Sequence, residues 1–327
     1  MALAVLVFHF DKWLNGNWDA ASPQGRLGIY AVSIFFILSG LTLTLVYAGR
    51  LRWSFSSWLA FFQNRFWRIF PLLWLTTAIS LIIDDVPRPT WVILLNFSGI
   101  FGWIDPSRDI ATGAWSIGCE LVFYAFFPAI LLLSQKWKWL IGLLWGGAVC
   151  IALYFAFYLY PSHAEQAIWW PIYVQVFNHA SFFLAGIWIG LTVIKPWKGA
   201  GIILLILGAG FFLLPISSDP FTLVSGFWRM VFLLMVTVWV AYYFSWRIHW
   251  SEGIARILSV LGLISYSLYL WHPIVFRGVQ FLLRGAHLTL NPVATFLLAL
   301  TSSLVWAYFS YRYFEWPLQK RMKSAKI

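Results

Sequence analysis

The chain has 327 residues, 61% hydrophobic and only 10% charged. Soluble domains carry about 25% charged residues, so a water-soluble globular fold is excluded. The net charge of +11 comes from Lys and Arg scattered between apolar blocks. That pattern argues against a nucleic-acid partner and for contacts with anionic membrane lipids.

A mean hydropathy of +0.80 and ten apolar blocks of near-spanning length predict an all-α, polytopic membrane bundle of about ten transmembrane helices. In chain order the blocks cover residues 1–13, 27–47, 66–83, 114–134, 139–160, 171–194, 200–217, 227–246, 257–276 and 292–312. The first is too short to span, so helix one is expected to be clipped at its N-terminal end. Residues 91–104, WVILLNFSGIFGWI, are apolar but short and broken by glycine, which predicts an interfacial or re-entrant segment. With no soluble domain or solenoid repeat in sight, residues 1–327 read as one integral membrane domain. The 23 Trp suit interfacial belts and packing between helices. Cys119 and Cys150 both lie in apolar runs, away from any metal-ligand spacing, and no metal is expected.

Alternate connections divide the 22 Lys and Arg into 15 on one side and 7 on the other. The richer side holds Arg50, Arg52, Arg65, Arg68, Lys136, Lys138, Lys195, Lys198, Arg247, Arg256, Arg312, Lys320, Arg321, Lys323 and Lys326. The positive-inside rule makes that side cytoplasmic and puts both termini on the cytoplasmic side of the cell membrane.

Ionisable residues inside apolar blocks are functional candidates, because burying such a charge costs about 2.5 to 3.5 kcal/mol even on the mild insertion scale. They are His9, Glu120, His179 and His272. His179 follows Asn178 and reads as structural. His272 precedes Pro273 near a helix end, where a donor satisfies a carbonyl that proline leaves free, so position alone favours a structural role. Glu120 lies six residues into its block, roughly 9 Å down a helix at 1.5 Å per residue, a depth that matches His9. That depth predicts a carboxylate orienting an imidazole base, with His272 or an arginine as the other pairing candidates. In QNRFWRIFP, Arg65 and Arg68 are three apart on one helix face, a spacing suited to phosphate as well as to ordinary anchoring. Arg312 and Glu315, also three apart, read as an ion pair.

Six segments together resemble the acyltransferase-3 family of integral membrane acyltransferases, which includes O-antigen and exopolysaccharide O-acetyltransferases. They are ALAVLVFHF, SIFFILSG, NRFWRIFP, WSIGCELVFYAFFP, ISYSLYLWHP and YRYFEWP, in that order along nearly the whole chain. The resemblance implies transfer of an acyl group, commonly acetyl from acetyl-CoA or another acyl-CoA, to a hydroxyl of a carbohydrate, lipid-linked sugar or other extracytoplasmic acceptor. It implies that His9 is the essential helix-one histidine and that Arg65 and Arg68 engage the acyl-CoA. Trp115, Ser116, Glu120 and Tyr124 match the helix-four signature of the family.

Two features depart from the family pattern. An arginine usual about ten residues before the histidine has no counterpart in the eight residues ahead of His9. Ser33 and Ile34 stand before Phe35 and Phe36, where an acidic residue is usual. No hydrolase-like domain follows YRYFEWP, so the chain is expected to act alone or with a separate partner.

The chemistry assigns His9 and Glu120 as catalytic, with His9 the general base. Together with the resemblance, it implies substrate-binding roles for Arg65, Arg68, Trp115, Ser116, Tyr124, Tyr269 and His272. Ser116, Tyr124, Tyr269 or an arginine is expected to supply the oxyanion donor. The alternative is a transporter or flippase for a lipid-linked sugar, with His9, Glu120 and His272 as a proton relay.

Overall fold

The computed structural model describes residues 1–16, 19–84, 86–161, 169–192, 199–246 and 250–324, with only the backbone given for 321–324. Lys195, Lys198, Arg247 and Lys326, four of the expected cytoplasmic cations, lie outside the described residues, as do the side chains of Arg321 and Lys323. Among the described residues the fold is all-α.

In chain order the first six helices are α1 (Ala2–Asn15), α2 (Pro23–Tyr47), α3 (Phe55–Ile83), α4 (Thr90–Ser98), α5 (Phe101–Ile104) and α6 (Ala114–Lys136). There follow α7 (Leu140–Tyr154), α8 (Trp169–Tyr173), α9 (Val176–Leu191), α10 (Ala200–Leu213) and α11 (Phe221–Val224). The chain closes with α12 (Gly226–Ser245), α13 (Glu252–Leu263), α14 (Ser265–Gly285), α15 (Pro292–Ser310) and α16 (Trp316–Ser324). A π-helical turn, Tyr311–Glu315, joins the last two.

Several starts follow from local chemistry. Ser22 caps α2 ahead of Pro23, Ser54 caps α3, and Asn291 caps α15 ahead of Pro292. In each case a side-chain oxygen takes one of the backbone N–H groups that a helix start leaves unpaired.

Among the described residues, seven helices or helix pairs are long and apolar enough to cross a membrane. The pair α13 and α14 makes an eighth if it is taken as one span; it is bent by 64° at Ile264, where a straight helix was expected over 257–276. The first and seventh predicted blocks are the 14-residue helices α1 and α10. The predicted short segment 91–104 forms α4 and α5, neither of spanning length.

Two close approaches fix the centre of the bundle. A Cβ at Gly40 would strike the Phe183 carbonyl and one at Gly186 the Ile37 carbonyl, so α2 and α9 touch backbone to backbone. Gly102 and Gly118 press the short α5 onto α6 in the same way. The larger apolar core runs through α2, α6, α9 and α12, around Phe36, Phe123, Phe127, Phe183 and Phe232. A second core joins α1, α14 and α15 through Leu6, Phe10, Leu268, Phe276 and Ala299. This second core carries His9 and His272 to the same place.

Two arginines counted from sequence as outer-surface cations are internal. Arg26 is buried and donates to the carbonyls of Phe211 (2.6 Å) and Leu214 (2.5 Å), closing the end of α10. Arg229 is fully buried between the rings of Tyr30 and Phe182 and reaches Asn178 at 3.4 Å.

Candidate active site

His9 Nδ1 lies 2.8 Å from His272 Nε2, and the two rings are within 10° of parallel. With ring centres 5.1 Å apart and a hydrogen bond between ring edges, the imidazoles are nearly coplanar rather than stacked. The proton positions follow from the backbone. Pro273 lacks an N–H, so the carbonyl of Tyr269, four residues back, loses its helical donor. His272 Nδ1 sits 2.8 Å from that carbonyl and 3.2 Å from the carbonyl of Leu268. A carbonyl only accepts, so His272 carries its proton on Nδ1 and offers Nε2 as acceptor. His9 must then donate from Nδ1, which leaves its Nε2 lone pair without a hydrogen-bond partner among the described residues. His9 is half-buried and His272 fully buried in the middle of α14, not near a helix end as the sequence suggested.

Glu120 is elsewhere, and this corrects the expected pairing. Its carboxyl faces the hydroxyls of Ser39 and Tyr124 and the charges of Arg68 and Arg65. Those two hydroxyls are also 2.8 Å from each other. Matching depth along two helices did not bring Glu120 to His9, because the helices turn these residues toward different neighbours.

Glu120 instead lines a cleft of about 520 Å3 between α2, α3, α6 and the start of α14. Arg65, Arg68, Tyr124, Ser116 and Tyr269 line it too. A second cleft of about 390 Å3 adds Arg50, Asn64 and Gln319 and shares Tyr47, Arg65 and Arg68 with the first. The paired arginines therefore stand where the two spaces meet. Arg65 Nε is buried without a hydrogen-bond partner, a donor held ready for an anion.

At the far end of the larger cleft, the Ser116 and Tyr269 hydroxyls are 2.8 Å apart and both reach the Gly113 carbonyl, at 3.0 and 2.9 Å. Gly113 holds φ at +87° to start α6, which turns that carbonyl toward them. Two hydroxyl protons serve that carbonyl and each other. One must leave the carbonyl before it can serve an oxyanion. The Tyr269 ring is centred 6.1 Å from that of His272, so one aromatic layer separates the cleft from the histidine pair.

Trp115, a predicted substrate contact, is buried against His179, Tyr173 and Phe36 and does not line either cleft. His179, expected to bond to a neighbouring helix, donates from Nε2 to the Tyr173 carbonyl at 2.7 Å. Glu315 does not pair with Arg312. It accepts from Ser267 and Ser310, while Arg312 lies over Trp316 at 4.8 Å. The π-turn at Tyr311–Glu315 adds a residue to the helix register and turns Glu315 inward, where Arg68 is among its charged neighbours.

Sequence reasoning missed Ser39, although SIFFILSG contains it, because a serine near a helix middle gives no signal alone. It also missed Asp109, in the loop before α6, whose Oδ2 accepts from the Trp115 N–H at 3.1 Å. Burial raises the Asp109 carboxyl to about 7, against the opposing pull of backbone donors at Trp115 and Gly113.

Compared with known proteins, residues 1–312 match the model of an acyltransferase domain. The chain belongs to the acyltransferase-3 family. Along 97% of its length it is 23% identical to a protein of Staphylococcus aureus (strain COL) provisionally named an O-acetyltransferase, covering 55% of that protein. It is 24% identical to the peptidoglycan O-acetyltransferase OatA of Listeria monocytogenes, over 97% of this chain and 54% of OatA. It is 27% identical to the acyltransferase MdmB of Streptomyces mycarofaciens, over 79% of this chain and 71% of MdmB. The chain thus spans about half the length of the staphylococcal and listerial relatives. No solved structure matches it. As an acyltransferase-3 member with seven or eight helices of spanning character among the described residues, it is an integral membrane protein.

Proposed function

We propose that this chain transfers an acyl group, acetyl foremost, from cytoplasmic acyl-CoA to a hydroxyl of a carbohydrate or other extracytoplasmic acceptor. The observation that carries the reading is the shared polar seam. Paired arginines stand at the junction of two clefts, and the larger cleft ends at Tyr269, whose own carbonyl orients the histidine pair.

Phosphates of the donor would meet Arg65, Arg68 and Arg50, with the unpartnered Nε of Arg65 among the donors. The pantetheine arm would follow the cleft past Glu120 and Tyr124 toward Ser116 and Tyr269. Glu120 balances the arginines and holds Tyr124 and Ser39.

His9 Nε2 takes the acceptor hydroxyl proton while the oxygen attacks the thioester carbonyl. The C–S bond breaks, and the imidazolium returns the proton to the CoA thiolate. His272 acts on His9 alone, fixing the tautomer that presents Nε2. A Ser116 or Tyr269 hydroxyl that releases Gly113 supplies a donor to the oxyanion. The bias of Lys and Arg toward one set of connections supports cytoplasmic termini.

The test uses purified protein in lipid bilayers with radiolabelled acetyl-CoA and a crude extract of polysaccharide and lipid-linked sugar. The parent should move label to the extract, and His9→Ala at matched folded yield should lose roughly 100-fold or more of that rate. Transfer by His9→Ala at the parent rate would remove the base assignment. A parent that binds acyl-CoA but labels nothing would remove the donor-to-acceptor reading.

A further inference from the structure

The base just described becomes a cation in mid-reaction, and no carboxylate waits for it. Among the described residues no Asp or Glu is within ion-pair distance of His9, and the titratable groups that act on it are His272 and Lys12. A bare imidazolium in this half-buried position needs another source of negative potential.

The ring that meets it belongs to Trp13, one helical turn further along α1. Its centre is 5.1 Å from that of His9, and the planes are 8° apart. Two parallel rings at that separation without a hydrogen bond between them cannot lie edge to edge, because their rims would overlap. They must be offset face to face. The indole therefore turns its electron-rich face to the imidazole. The spacing i, i+4 makes the contact intrinsic to the helix. Phe276 of α14, centred 5.0 Å from the indole, and Phe10 at 6.0 Å hold it in place.

We propose that Trp13 is a positioning and charge-stabilising residue for His9. It takes the electrostatic part that a carboxylate plays in other base-and-acid pairs, while His272 fixes the tautomer. The proposal rests on His9 being the base. In transfer, the proton moves from the acceptor hydroxyl to His9 Nε2 and then to the departing thiolate. Trp13 lowers the energy of the intervening imidazolium without exchanging a proton or forming a bond. A neutral neighbour has a further advantage over a carboxylate, since it cannot capture the proton that must go on to sulfur.

The test measures kcat, and KM for acyl-CoA, in the purified full chain in bilayers. The variants are Trp13→Phe, Trp13→Leu and tryptophan bearing one to three ring fluorines introduced at position 13 alone. Fluorine keeps the shape nearly constant while draining the π face. The logarithm of kcat should fall stepwise with fluorine number while KM stays constant. Trp13→Leu should lose roughly 5- to 30-fold in kcat, the span between exposed and desolvated cation–π pairs, with Trp13→Phe between.

A fluorine series that stays at the parent rate, even with a slow Trp13→Leu, would show that only the shape of the indole matters and would overturn the proposal. His9→Ala measured alongside separates the two ideas. If His9→Ala is inactive and the fluorine series is flat, Trp13 alone loses its role. If His9→Ala transfers at the parent rate, both ideas fall.

Discussion

The two ends of the polar seam are held by opposite means. At the arginine end, charge answers charge: Arg65 and Arg68 face Glu120, with Glu315 also in reach of Arg68. At the histidine end the supporting groups are neutral: a carbonyl freed by Pro273, a second imidazole and an indole face. The difference follows from the work each end would perform. Gripping phosphate rewards fixed cations that are kept soluble in the membrane by a nearby carboxylate. Relaying a proton rewards a base that is neutral at rest, in a setting that stabilises the cation only in passing. Both ends of one seam can coexist because Tyr124, Ser39, Ser116 and Tyr269 separate them with hydroxyls rather than charges.

The comparison breaks most readily at the charged end. Replacing Arg65 and Arg68 together by Ala should raise KM for acyl-CoA by roughly 100-fold, the scale of one or two charge-assisted hydrogen bonds, and leave kcat within a few-fold. Initial rates across acyl-CoA concentrations decide it. A fall in kcat with unchanged KM would mean that these arginines act on the reacting centre instead of the donor phosphates.

A smaller effect should sharpen the account of the neutral end. Pro273→Ala gives the backbone an N–H that competes with His272 Nδ1 for the Tyr269 carbonyl. Loosening that one bond should cost about fivefold in kcat, with KM unchanged and thermal stability held or improved. If kcat is untouched, His272 does not owe its orientation to the freed carbonyl.

The smallest effect concerns Asp109, in the loop before α6. Its folded-state value of about 7 lies above the usual aspartate value near 3.9. Between about pH 4 and pH 7 the folded protein therefore holds a proton that the unfolded chain has released. Stability should fall as pH rises through that window and level off above it. Asp109→Asn should flatten that slope in thermal unfolding of the detergent-solubilised protein. A slope that persists in the variant would assign it to other groups.

Much of the outline was legible from composition and spacing. Uninterrupted apolar blocks cannot satisfy their backbone in lipid except as helices, so sequence alone determined an all-α membrane bundle and nearly every spanning segment. Sequence alone also marked His9, Glu120, Arg65, Arg68 and His272, because charge and imidazole in apolar runs are costly enough to be informative. Even the Tyr269 carbonyl was implicit, since a proline always frees the carbonyl four residues back.

What sequence left open was which of these residues meet. Depth along a helix is readable at 1.5 Å per residue, but the rotation of one helix against another is set by packing, here by Gly40 against α9 and Phe10 against α14 and α15. That rotation took Glu120 away from His9 and gave it to the arginines. It set His272 beside His9 and turned Arg229 and Glu315 into the interior. Tertiary structure decided the pairings because they depend on contacts between segments far apart in the chain.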